Sequence, residues 1–99
     1  MAEIVWTDPA QLDLAEICEY IAFDDPDAAD RLADRVVAHI SQLRDHPRSG
    51  SIMPEQPRRG IRQIVEPPCR VLYRFDGETV FIVHIMRSEM MLRMSRLED

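Results

Sequence analysis

CRVLYRFDGETVFIVHIMR, residues 69–87, carries two runs rich in β-branched and aromatic residues on either side of Asp76-Gly77, a dipeptide that strongly signals a two-residue hairpin. With Asp76 and Gly77 as the turn, Phe75 pairs with Glu78, and counting outward sets Tyr73 opposite Val80, Val71 opposite Ile82 and Cys69 opposite His84. That face of the hairpin is almost wholly apolar. The alternate positions carry Arg70, Leu72 and Arg74 on one strand and Thr79, Phe81, Val83, Ile85 and Arg87 on the other. Helices covering one side of a small sheet take the arginine-free face. Leu72, Phe81, Val83 and Ile85 are then predicted to form an exposed apolar stripe ringed by Arg70, Arg74 and Arg87. Such a stripe marks a partner site, and arginine is a frequent hot-spot residue there. The alternative cover for it is the C-terminal tail.

Upstream, residues 61–66 (IRQIVE) add a third β-rich run, so residues 61–87 read as an antiparallel meander. Residues 47–60 (PRSGSIMPEQPRRG) hold three prolines and two glycines without periodicity and read as a loop. Before the loop, Asp8-Pro9 and Asp25-Pro26 both give helix-start signals, an acidic cap followed by proline at the first helical position. Leu14, Ile17, Cys18 and Ile21 recur at the spacing of one helix face, giving a helix over about residues 9–23. Ala29, Leu32, Ala33, Val36, Ile40 and Leu43 continue a second stripe until Pro47 forbids it, giving a helix over about 26–46. The short turn between them predicts a helical hairpin. Residues 3–6 (EIVW) read as a short N-terminal strand. Met90, Met94 and Leu97 at i, i+4 and i+7 suggest a short helix within the tail, residues 88–99. The class is α+β, and 99 residues make one domain.

The net charge of −6 conceals an asymmetry: residues 1–45 sum to −8 and residues 46–99 to +2. All twelve basic residues are arginine, so every basic position offers the planar fork that binds carboxylate or phosphate in pairs. The acidic total argues against non-specific coating of nucleic acid. No apolar run approaches the length of a membrane span, and the N-terminus shows no secretory signal, so a cytoplasmic location is expected. Cys18 and Cys69 have no metal-binding or redox spacing and are expected to be buried thiols.

The remaining chemistry-bearing residues have plain readings. The register above places His84 on the core face opposite Cys69. His39 and His46 lack a third ligand for a metal. Asp24, Asp25, Asp27, Asp30 and Asp34 lack the calcium-loop pattern and read as caps and a solvated face. Glu66 is expected to pair with Arg87 across the sheet, and Arg58-Arg59-Gly60 to be an exposed loop end. No cofactor and no metal is expected.

In combination, WTDPAQLDLAEICEYIA (6–22), HPRSG (46–50), GIRQIVEPPCRVLYRF (60–75), VFIVHIMRSEM (80–90) and LRMSRL (92–97) resemble, in order and spacing, the RelE/ParE toxins, also called plasmid-stabilisation proteins. The resemblance implies a toxin made beside an antitoxin whose flexible C-terminal segment wraps it, in a toxin–antitoxin hetero-oligomer. Members similar to RelE cut messenger RNA on the ribosome, and members similar to ParE poison DNA gyrase. Cleavage needs groups that activate the ribose hydroxyl, stabilise phosphorane charge and protonate the leaving oxygen. RelE members supply these from strand arginines, lysines and a C-terminal Tyr or His–Tyr. Arg70 and Arg87 match the strand arginines and Arg62 a third basic position. Lysine is absent, and the sequence after Arg87 has neither Tyr nor His. The tail resembles that of ParE members. The resemblance therefore implies a gyrase poison without catalysis of its own; a ribosome-dependent endonuclease and a non-toxic interaction module are the alternatives.

Overall fold

The computed structural model describes residues 1–88. Strand β1 (Glu3–Trp6) leads into helix α1 (Asp8–Ala22) and helix α2 (Pro26–Ser41). After α2 come a 3-10 turn at Gln42–Arg44, strand β2 (Ser51–Ile52) and a second 3-10 turn at Pro57–Arg59. Strands β3 (Arg62–Glu66), β4 (Cys69–Phe75) and β5 (Thr79–Arg87) complete a five-stranded sheet of order β1-β5-β4-β3-β2. β1 runs parallel to β5 and the other neighbours are antiparallel. The α+β architecture, the helical hairpin and the meander agree with the sequence reading. The tail helix suggested by Met90, Met94 and Leu97 lies outside the described residues.

Both helices have a side-chain cap and a proline within their first two residues. The Asp25 carboxylate accepts from Ala28 N at 3.1 Å. At α1 the cap is Thr7 rather than Asp8: its hydroxyl oxygen accepts from Ala10 N at 3.3 Å and lies 2.7 Å from Ile82 O, so one side chain starts the helix and fastens it to β5. Ile17 of α1 and Leu32, Val36 and Ile40 of α2 pack against Val71, Tyr73, Val80, Ile82 and Ile85 of the sheet. The Tyr73 ring is fully buried, and its hydroxyl accepts from Gly50 N at 2.9 Å. A Cβ at position 50 would stand 2.6 Å from both Gln63 O and that hydroxyl, so only glycine lets the chain pass there.

The β4–β5 hairpin departs from the sequence-derived register. The Asp76 carboxylate accepts from the backbone N–H groups of Glu78 at 2.8 Å and Thr79 at 2.7 Å. This side-chain-capped turn pairs Asp76 with Thr79, leaving Gly77, at φ 104°, and Glu78 at the tip. Phe75 therefore faces Val80 and Tyr73 faces Ile82. At the next step the ladder slips, with Leu72 opposite His84, so Val83 is the extra residue of a β-bulge. The bulge sits where β1 has ended and α1 takes over the edge of β5. There the Thr7 hydroxyl reaches the carbonyls of Ile82 and Val83, and the Asp13 carboxylate accepts from Ile85 N at 3.0 Å.

Beyond the bulge the faces exchange. Ile85, expected in the outward stripe, is 2 % exposed in the core opposite Val71. His84, expected inside, is exposed, with Nδ1 2.9 Å from Asp13 Oδ2. Arg87 shares the face of Cys69 and places its guanidinium 5.0 Å from the centroid of the Tyr20 ring on α1. It stands on the helix side, away from Arg70 and Arg74.

Candidate functional site

The sheet face turned away from the helices is built by alternation: Glu3 and Val5 on β1, Phe81, Val83, His84 and Met86 on β5, Arg70, Leu72 and Arg74 on β4, and Gln63 and Val65 on β3. It divides into an open half and a covered half. In the open half Val5, Phe81 and Arg74 are register neighbours in one row, with the Arg74 guanidinium 5.5 Å from the Phe81 centroid. Val5 is 40 % exposed, Arg74 is exposed, and Phe81 and Val83 are partly so. Such a cation-on-ring pair presents apolar area and positive charge at one place.

The covered half lies beneath residues 53–61, of which all but Ile61 read in the sequence as featureless loop. This segment leaves the β2–β3 edge, closes with Met53 N donating to Ile61 O at 2.8 Å, and forms a strap across the sheet. Met53 and Leu72, 5 % and 6 % exposed, form a second apolar cluster with Ile61 and Met86. Leu72 points outward as expected but is not open to solvent. Arg70 is 8 % exposed and forks onto the strap: Nη1 donates to Glu55 Oε2 at 2.7 Å and Nη2 to Oε1 at 3.0 Å. Its Nε donates to Gln63 Oε1 at 2.8 Å, and Nη2 also contacts that oxygen. These are bidentate, charge-assisted bonds in a partly desolvated place.

The Arg70 hydrogen bonds hold the Glu55 carboxyl below the usual glutamate range, against a smaller opposing effect of burial. A carboxyl depressed on folding contributes stability above its unfolded-state value, and that contribution falls away as pH drops through the folded one. Amide exchange across residues 53–61, followed by NMR, should therefore be slow above pH about 4.3 and accelerate as the solution is acidified below it. Exchange independent of pH in that range, after correction for intrinsic rates, would show that the ion pair does not hold the strap.

The three arginines matched to the nuclease pattern do not converge. Arg70 is outward, on Glu55. Arg62 pairs with Tyr73 on the helix side, where its Nη1 donates to Gly50 O at 2.8 Å and to Arg48 O at 3.4 Å. Arg87 is on that same side but opposite Cys69, four residues away along β4. Glu66, expected to meet Arg87, is taken by α2: Oε2 lies 3.4 Å from Arg35 Nε and Oε1 lies 3.1 Å from His39 Nδ1. Burial pushes the Cys69 thiol above the ordinary range, which leaves it a poor nucleophile. Among the described residues no three His, Cys, Asp or Glu side chains gather as a metal site, and no helix is long and apolar enough to cross a membrane.

The family model described as "ParE toxin of type II toxin-antitoxin system, parDE" matches residues 4–92. The chain belongs to this family. A relative, Toxin RelE2 of Caulobacter vibrioides, is 35% identical over 89 residues, covering 88% of this chain and 92% of the relative. A solved chain of the chromosomal ParDE toxin–antitoxin system from P. aeruginosa is 26% identical with a TM-score of 0.69, covering 88% of this chain and 96% of that one. A chain of the Mycobacterium tuberculosis RelBE2 toxin–antitoxin complex, at 20% identity and TM-score 0.58, covers 87% and 96% and shares the fold. This protein is thus a type II toxin–antitoxin toxin of the ParE/RelE superfamily.

Some of the toxin's candidate surface was missed in the sequence. Val5 joins the open row because β1 pairs with β5, a long-range parallel contact that no local pattern announces. Leu12 and Tyr20 on α1 and Phe23 just past its end are 60 %, 67 % and 91 % exposed. Leu12 and Phe23 fall together on the helical projection opposite the core stripe of Leu14, Ile17 and Ile21, a legible outward pair, and Tyr20 flanks that stripe.

Proposed function

We propose that this toxin acts by binding, poisoning DNA gyrase in the cytoplasm as the ParE members it resembles do, and that a cognate antitoxin neutralises it in a hetero-oligomer by docking an acidic, apolar segment on the outer sheet face. The observation that carries the first part is the dispersal of Arg62, Arg70 and Arg87. Each guanidinium is engaged by its own chain, on Gly50 and Arg48 carbonyls, on Glu55 and on the Tyr20 ring, at three separate places. A phosphoryl-transfer site needs its charges gathered where the phosphorane forms. The absence of lysine, and of Tyr or His after Arg87, points the same way. Docking on the sheet is supported by the open row Val5, Phe81 and Arg74, apolar area with a cation at its rim.

The experiment offers purified toxin both targets. Supercoiled DNA with gyrase should accumulate a cleavage complex, and messenger RNA on programmed ribosomes should stay intact. The 35% identity to a protein named RelE2 is what favours the second reading, a ribosome-dependent endonuclease. Codon-specific cleavage in the ribosomal A site would establish that reading, and would make Arg62, Arg70 and Arg87 its first candidates for mutation.

A further inference from the structure

The covered half of the outer face has the composition of a binding site whose occupant belongs to the same chain. Arg70 presents a planar fork of donors, and what fills it is one carboxylate, Glu55, in bidentate geometry at 2.7 and 3.0 Å. The fork distinguishes little between this carboxylate and another of equal geometry. Leaving Arg70 buried without an anion is costly, whereas exchanging one carboxylate for another conserves the bonds that satisfy it. Beside the fork, Leu72 and Met86 are apolar and are covered by Met53 and Ile61.

The covering segment is lightly built. Pro54, Pro57, Arg58, Arg59 and Gly60 are all exposed, the two prolines have no N–H to give to a ladder, and Gly60 turns the chain back at φ 69°. The covered and open halves are continuous in register. Arg74, Leu72 and Arg70 follow one another along β4, and Phe81, Val83 and Met86 along β5. A segment seated on the open row therefore meets the strap as soon as it extends along either strand. Arg58 and Arg59, exposed on the strap, add positive charge on this approach, which favours an acidic arrival.

We propose that residues 53–61 are a displaceable lid, and that Glu55 holds Arg70 in place of a carboxylate of the antitoxin, whose acidic–apolar segment lifts the lid and takes over Arg70, Leu72 and Met86. This rests on the docking face proposed above and adds to it the second half of the surface and an internal competitor. The toxin is built to shield an apolar patch while it has no partner, and the partner must compete with Glu55 for Arg70.

Two measurements on the full chain with its antitoxin test this. Hydrogen–deuterium exchange compares residues 53–61 in toxin alone and in the complex, and is expected to be faster in the complex, because the displaced lid loses the Met53–Ile61 closure. Glu55→Gln keeps the shape of the side chain and removes the charge that competes for Arg70. If the lid keeps the fully open toxin to a tenth or less of molecules, this variant should bind antitoxin at least about tenfold more tightly than the parent. Greater protection of 53–61 in the complex, or parental affinity for Glu55→Gln, overturns the lid. Phe81→Glu serves as the independent control on the open half. If it binds antitoxin like the parent the docking face itself fails, whereas loss of binding there with no lid movement rejects only the present inference.

Discussion

Val71→Glu is expected to abolish folding, giving a chain with no cooperative thermal transition by circular dichroism, whereas Leu72→Glu should fold and melt early. Val71 has no exposed surface and stands opposite Ile85 among Ile40, Tyr73 and Ile82 in the principal core. A carboxylate there is cut off from water and lies among apolar side chains. Its desolvation is of the size of a small domain's whole stability. Leu72 is also buried, at 6 %, but its neighbours are Met53, Ile61 and Met86, and the first two belong to the strap. Losing that contact can release the strap while the helix-covered core stays intact, at a cost of roughly 1.5–3 kcal/mol for the apolar side chain. Comparable melting of the two variants would mean that the strap cluster and the main core form one cooperative unit.

The contrast between these adjacent residues shows what the sequence could tell. Alternation alone places Val71 inward and Leu72 outward, and both placements hold. Alternation does not reveal that outward is still covered, because residues 53–61 reach over Leu72 through contacts made by Met53, Ile61 and Glu55 from a stretch without periodicity. The helices were legible because their signals are local: Asp25-Pro26 caps α2, and the Leu32, Val36, Ile40 and Leu43 stripe is the buried face. The turn was legible as a turn but not in register. Whether Asp76 sits at the tip or beside it depends on its carboxylate accepting from Glu78 and Thr79, two bonds that draw it out of the tip.

The bulge at Val83 was the least accessible feature, and it had the largest consequence for the site. It arises where β1 stops and Thr7 and Asp13 take over the edge of β5, which is a tertiary circumstance. One extra residue sends His84 out, draws Ile85 in and turns Arg87 to the helix side. Of the seven residues assigned by sequence to the docking face, Arg74, Phe81 and Val83 therefore remain accessible on it. Arg70 and Leu72 lie on it under the strap, and Ile85 and Arg87 leave it.

Phe81→Glu should weaken the toxin–antitoxin complex by at least about tenfold while leaving the melting temperature nearly unchanged. Phe81 occupies the middle of the open row, paired with Val5 on one side and Arg74 on the other, and its outward position keeps it clear of the principal core. Covering a large apolar side chain at an interface is worth roughly 1.5–3 kcal/mol, which is about a ten- to hundredfold change in affinity. The substitution acts a second time through charge. Arg74 now lies over the ring at 5.5 Å, and a carboxylate at position 81 would take that guanidinium as its own counter-ion and repel an acidic partner. Phe81→Leu separates the two contributions, since it keeps apolar area, adds no charge and should cost the smaller share. Isothermal titration at two salt concentrations checks both. The charge-dependent part should shrink as salt rises and the apolar part should persist, and a Phe81→Glu variant that binds antitoxin as tightly as the parent would remove the outer face from consideration as the docking surface.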